Sequence, residues 1–218
     1  MNTNITFDLE TCALYPTAAV MSIGAVAWNA DAEYNPFTDG FSNDYCFYRH
    51  VDLRSSFVDG FTFDSETSKW WATQNDDAKK ALLEYDEVPL HPIDEVIEDF
   101  FGFISYVQEE TSAKEVKLWS QGTDFDIAIL RNICRKYGME IPVSYKNFRD
   151  HRTFFMEGAK IICDREGVDL DESNAYSLVE EYDGPGEPHN PVFDCKRSIF
   201  STWQMMKHLR SLNVPKEE

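Results

Sequence analysis

The sequence predicts a mixed α/β fold, on three observations. Strand-length apolar or alternating stretches open the chain, helical spacing takes over from about residue 65, and the two patterns then interleave as far as a last long helix. A length of 218 residues can bury a core without disulfide or metal staples. No internal repeat is present and only one glycine-proline stretch looks like a hinge, so residues 1–218 are expected to form a single domain.

Ile5 to Asp8 reads as the first strand, and the run AVMSIGAVAW, Ala19 to Trp28, as a second, apolar enough for the centre of a sheet. Asp44 to Val51 alternates and predicts a third, so that short polar turns give an antiparallel meander. From Ser65 the pattern is helical, first in SETSKWWATQ, then in DDAKKALLE, then over Ile93 to Gln108, where Ile93, Val96, Ile97, Phe100, Phe101 and Ile104 recur on one face. VKLWS, Val116 to Ser120, is a short buried strand, followed by a helix from near Thr123 through Tyr137 that stops at Gly138. Ser144 to Phe148 suggests a further strand and Phe154 to Glu166 a further helix. The loop DGPGEPHNP, Asp183 to Pro191, leads into a terminal helix running to about Leu212.

Hydrophobic residues make up 43% of the chain and aromatics 14%, which describes an ordinary globular protein rather than a disordered one. No apolar run approaches the roughly 18 residues of a membrane span, and the polar start Met1-Asn2-Thr3-Asn4 is no export signal. A cytoplasmic protein without a membrane partner is expected. Five widely spaced cysteines with no CxxC pair predict reduced thiols rather than zinc ligands. The net charge of −19 argues against an extended duplex-binding face, because backbone binding draws on clustered cations. It remains compatible with a protein that grips only the last nucleotides of a single strand, and acidic clusters attract Mg²⁺ or Mn²⁺.

Three segments carry candidate chemistry. In FDLET, Asp8 and Glu10 are two apart on a strand, so both carboxylates point to one face; an acidic pair entering a turn is the plainer alternative. In GTDFDIAIL, Asp126 falls at the third position of a helix that Thr123 could cap, which permits a capping-box role as well as a ligand role. Asp124 is the competing carboxylate. In HNPVFD, Pro191 suits the first helical position and Asn190 the cap, leaving His189 just outside and Asp194 one turn in, so both can face one cleft. A solvated histidine and a dipole-compensating aspartate would look the same. Four carboxylates gathered at one point would repel, by about 4 kcal/mol per pair at 4 Å and an effective dielectric near 20, unless cations intervene. Two divalent ions and a histidine base would make such a set hydrolytic.

In this order, FDLET, GTDFDIAIL and HNPVFD resemble the histidine-containing branch of the DEDD exonuclease superfamily. That branch has Asp-x-Glu on its first strand, an aromatic-Asp pair opening a helix after a central strand, and His followed five positions later by Asp. The resemblance implies a ribonuclease H-like fold, with a five-stranded mixed sheet flanked by helices. It also implies a metal-dependent 3′→5′ exonuclease that releases nucleoside 5′-monophosphates. Asp8, Glu10, Asp126 and Asp194 would then hold two divalent cations, Mg²⁺ or Mn²⁺, with His189 as general base. Together with MSIGAVAW, the WWxxQ of Trp70, Trp71 and Gln74, and FRDHRT, the chain is most similar to the bacteriophage exonuclease A group and its bacterial exoribonuclease relatives.

The likeness implies single-stranded DNA or RNA 3′ ends as partners, with DNA favoured. Leu9, Thr11, Trp71 and Gln74 are the expected substrate contacts; one of Trp70 and Trp71 would stack on the terminal base and the other pack inward. Arg149 and Arg152 could meet phosphate or pair with surface acids. Gly122, Pro191 and Phe193 depart from the family pattern, which bears on substrate preference rather than on the five catalytic positions. A non-catalytic binding module and a phosphohydrolase of free nucleotides are the competing functions.

Overall fold

The period of two along β1 (Thr3–Thr11) sends Ile5, Phe7 and Leu9 to one side and Asn4, Thr6, Asp8 and Glu10 to the other, and this strand becomes the centre of the sheet. The computed structural model describes residues 2–76, 79 and 89–212. β2 (Val20–Asn29) pairs antiparallel with β1, and β3 (Cys46–His50) antiparallel with β2, which is the expected meander. β4 (Lys117–Ser120) and β5 (Phe148–Asp150) extend the other edge in parallel. The result is a five-stranded mixed sheet in the order β3-β2-β1-β4-β5.

Helices cover both faces. After the short helices α1 (Leu53–Val58) and α2 (Ser65–Thr73), α3 (Ile93–Glu110) lays Ile93, Val96, Ile97, Phe100, Ile104 and Val107 on the Phe7 side, where Phe100 meets Phe7 and Phe47 at centroid distances of 5.5 and 5.7 Å. α3 has no side-chain cap, worth about 1 kcal/mol; six buried side chains at about 1.5–3 kcal/mol each outweigh that loss. α4 (Ala128–Tyr137) adds Ile129, Leu130 and Ile133 to the same core. On the opposite face, α5 (His151–Glu166) and α6 (Pro191–Ser211) enclose Trp28, Trp119, Ile199 and Trp203.

The start of α6 is seated by a glycine. Gly24 lies opposite Asp8 in the β1–β2 register, and a Cβ there would come within 2.7 Å of the Pro191 carbonyl carbon and the Val192 nitrogen. Only a residue without a side chain lets the first turn of α6 lie against the sheet beside Asp8.

Several sequence expectations shift. The third strand is shorter than Asp44 to Val51, and α1 goes unforeseen because LRSSFV lacks an amphipathic repeat and depends on the Asp52 side chain accepting from the Arg54 N–H. Ser144 to Phe148 is not a strand: Tyr145–Asn147 forms a 3₁₀ turn, and β5 begins where that turn ends. α5 starts at His151 rather than Phe154, because the Asp150 carboxylate caps it through the Thr153 N–H at 2.7 Å. The helix after β4 opens with a π turn, Thr123–Ile127. The helix expected over residues 76–84 lies almost wholly outside the described residues. Among the described residues, no helix is long and apolar enough to cross a membrane.

One buried polar group ties the sheet to its helices. The His151 ring is hydrogen-bonded to Thr6 Oγ1 at 2.8 Å and to Thr202 Oγ1 at 2.6 Å, with Trp119 at 4.9 Å between centroids. Burial pushes its pKa down to about 3. The unfolded chain binds this proton near pH 6.5 and the folded one refuses it, so the contribution is intact above that pH and is lost as pH falls towards 3. At pH 5 the loss should reach about 2 kcal/mol. Urea denaturation of wild type and His151→Asn at pH 7 and pH 5 checks this: the difference in stability between the two proteins should narrow at the lower pH.

Candidate active site

Asp8 and Glu10 lie at the C-terminal end of β1 on the α6 side of the sheet, as their spacing predicted. Asp126 stands in the π turn that follows β4, where its Oδ1 accepts the Leu9 N–H at 3.2 Å. That bond joins the second carboxylate segment to the first. Asp126 is 2% exposed, whereas Asp124 faces solvent. The widened turn rotates the one carboxylate inward and leaves the other outside.

The third segment folds as its sequence indicates. The Asn190 side chain accepts from the Val192 and Phe193 N–H groups, Pro191 opens α6, and Asp194 sits in the first turn. His189 adopts a left-handed backbone with φ of 68°, uncommon for a residue with a side chain, and its N–H donates to Asp194 Oδ2 at 2.8 Å. The strained position holds the ring edge-on to Trp70 and Trp71, with centroids 5.0 and 5.7 Å away. One ligand atom each from Glu10, His189 and Asp194 lies within 4.8 Å of the others.

The electrostatics of the four carboxylates are mutual. Burial raises Asp8 well above the usual carboxylate range, and the charges of Asp126, Glu10 and Asp194 raise it further, against Arg197. Glu10 is pushed up to about 8 by burial and then by Asp194 and Asp126. Asp126 rises to about 7 through burial, opposed by its hydrogen bond from Leu9. Burial also raises Asp194, with Arg197 and the bond from His189 lowering it. Asp194 Oδ1 is buried without a hydrogen bond and faces Arg197 Nη2 at 3.3 Å. A set of hard oxygen donors whose charges penalise one another, one oxygen lacking a hydrogen bond, fits divalent cations.

Leu9, Glu10, Thr11, Trp70, Trp71 and Phe125 line a groove of about 430 Å³ beside the carboxylates. Trp71 is the inward-packed member of the pair: its Nε1–H donates to the Thr11 carbonyl at 3.0 Å and its ring joins the main core. Trp70, 46% exposed, offers the open face. Gln74 does not reach this groove. It follows the last residue of α2, and its amide donates back to the Trp70 carbonyl at 3.1 Å, so helical spacing from Trp71 no longer applies. Arg149 bonds the Lys146 and Phe148 carbonyls, while the charge of Arg152 reaches Asp126.

Sequence reasoning missed Arg197, although its position three residues after Asp194 on a helix was the signal for a pair. A separate cavity of about 730 Å³ is apolar and has none of the four carboxylates in its wall.

Residues 3–199 match the family model described as the Rv2179c-like 3′–5′ exoribonuclease domain. No curated protein matches the sequence. Among solved structures, that of cell-death related nuclease 4 (CRN-4) superposes with a TM-score of 0.60 at 14% identity, covering 97% of this chain and 64% of that one. The nuclease domain of 3′hExo, a DEDDh family member bound to rAMP, gives 0.54 at 14% identity over 96% of this chain and 92% of that one. A 3′-exonuclease solved for its 3′-end-specific recognition of a histone mRNA stem-loop gives 0.56 at 13% identity, over 95% and 64%. This chain thus spans just under two thirds of the CRN-4 chain. At these identities the likeness establishes the fold, the ribonuclease H-like mixed sheet that the sequence led us to expect.

Proposed function

The chain belongs to the family of Rv2179c-like 3′–5′ exoribonuclease domains, and from that premise we propose that it hydrolyses single-stranded RNA from the 3′ end, releasing nucleoside 5′-monophosphates. The observation that carries the reading is the convergence of Asp8, Glu10, Asp126 and Asp194, from three separated segments, into one mutually repelling cluster with His189 against it. In this reading residues 1–218 form one exonuclease domain, and its cytoplasmic location rests on the sequence alone.

The four carboxylates would hold two divalent cations, Mg²⁺ or Mn²⁺. Bound there, the ions supply Lewis-acid charge that polarises the scissile phosphate and offsets charge on the departing oxygen. His189 takes the proton of the attacking water at an imidazole nitrogen. The water oxygen bonds to phosphorus as the bond to the upstream 3′ oxygen breaks, leaving a 5′-monophosphate and a strand one residue shorter. The Asp194 carboxylate, bonded to the His189 backbone, fixes where that base stands. Leu9, Thr11 and Trp71 border the terminal nucleoside, and Trp70 gives its base a face for stacking.

The DNA preference expected from the phage-like resemblance draws no support from a family described by its exoribonuclease activity, and RNA is therefore the proposed substrate. The test uses 5′-labelled RNA and DNA oligonucleotides with Mg²⁺ or Mn²⁺, each beside an EDTA control. The expected result is a ladder that shortens from the 3′ end of RNA and vanishes in EDTA. Faster shortening of DNA would reverse the sugar preference. Intact oligonucleotides under every condition would overturn the enzymatic reading in favour of a binding module.

A further inference from the structure

Two cavities meet the carboxylate cluster, and they share no lining residue. The groove under Trp70 has acids in its wall, Glu10, Asp64 and Glu66, and no lysine or arginine among its lining residues. The second cavity, about 720 Å³, is bordered by Asp8, His189 and Asp194 and by Gln121, Tyr176 and Arg197. A linkage cut at the carboxylates has a nucleoside on each side. The terminal one carries a free 3′-hydroxyl and no phosphate beyond the scissile one, which suits the acid-walled groove. The upstream one brings a second phosphate, which needs a cation.

The second cavity has the parts for it. Arg197 lies in its wall, half-exposed, and its charge reaches both Asp8 and Asp194. Tyr176 is stacked on Phe155 with centroids 4.2 Å apart and planes 10° from parallel, yet 45% of the residue stays exposed. One face is thus held rigid by the protein while the ring still borders the cavity. Beside it, Gln121 Nε2 donates to the Tyr176 hydroxyl at 3.3 Å, which ties the edge of the ring to the same wall. Glu180 and Glu181 occupy the same wall, so a phosphate is welcome only near Arg197.

We propose that this cavity is the subsite for the nucleotide on the 5′ side of the scissile linkage, its base lying on Tyr176 and its 5′-phosphate paired with Arg197. The proposal rests on the exonuclease reading above and adds a second nucleotide to it. It makes Tyr176 and Arg197 specificity-determining residues in a chain whose net charge of −19 otherwise repels its substrate.

The experiment compares kcat/KM on RNA oligonucleotides that differ only in having a base or an abasic sugar at the penultimate position. It also compares dinucleotides with and without a 5′-phosphate. For wild type, removing the penultimate base should cost about tenfold, the size of one stacking interaction. Tyr176→Ala should be slower on the intact oligonucleotide and insensitive to the abasic change, while Tyr176→Phe, which keeps the stack on Phe155, should retain the tenfold discrimination. A 5′-phosphate should speed dinucleotide cleavage by wild type about tenfold, the weight of a charge-assisted contact, and should give no gain to Arg197→Gln. Because each readout is a ratio within one protein, partial misfolding of a variant does not alter it. A wild-type enzyme that shortens RNA yet ignores both the penultimate base and the 5′-phosphate would overturn the subsite alone. Protein inert on every oligonucleotide would remove the exonuclease reading and the subsite together.

Discussion

Asp126→Asn is expected to lower turnover roughly 10³-fold or more, the several kcal/mol that a bound cation contributes to a phosphoryl transition state, while Asp124→Asn leaves most of the activity. The two residues are neighbours in sequence and opposites in environment. Asp126 is 2% exposed and has its pKa raised to about 7, whereas Asp124 lies in solvent. Asparagine keeps an oxygen that can accept the Leu9 N–H, so the joint between β4 and β1 should survive. The protein should stay folded and lose metal affinity, which a thermal-shift titration with Mn²⁺ reads independently of turnover. Equal losses from the two substitutions would remove Asp126 from the metal set.

His189→Ala should lower kcat by roughly 10²–10⁴-fold, the span for loss of a general base. The position adds a control, because its φ of 68° strains any residue with a Cβ except those that tolerate the left-handed region. Asparagine tolerates that conformation, and the backbone N–H that reaches Asp194 is independent of the side chain. His189→Asn should therefore match the alanine variant in rate while melting at a higher temperature. If asparagine restored activity, the backbone of this loop rather than the imidazole would be the functional element.

The sequence located the parts of this site that depend on local geometry. Two carboxylates at strand spacing, a cap followed by proline, and an aspartate one turn into a helix each declare their direction, and the structure brings all three segments together. Gln74 shows where that reasoning stops: its spacing from Trp71 was helical only if α2 continued, and α2 ends one residue earlier. β5 slipped by several residues because its edge position gives it no apolar signature, all three of its residues being only partly buried. Tyr176 and Gln121 are 55 residues apart, and neither carries a local mark of the hydrogen bond that brings them to one wall.

Asp194 serves two masters. One oxygen takes the backbone N–H of His189, and the other stands unbonded toward Arg197. In the proposed mechanism the general base and a metal ligand are thereby held in one piece of backbone, six residues of chain closed into a ring by one carboxylate. Because the bond comes from the His189 backbone, the dependence runs one way: a new side chain at His189 leaves the carboxylate where it is, whereas losing the carboxylate frees the loop that carries the ring. A lineage that lost either would find little advantage in keeping the other, so the pair should persist or decay together.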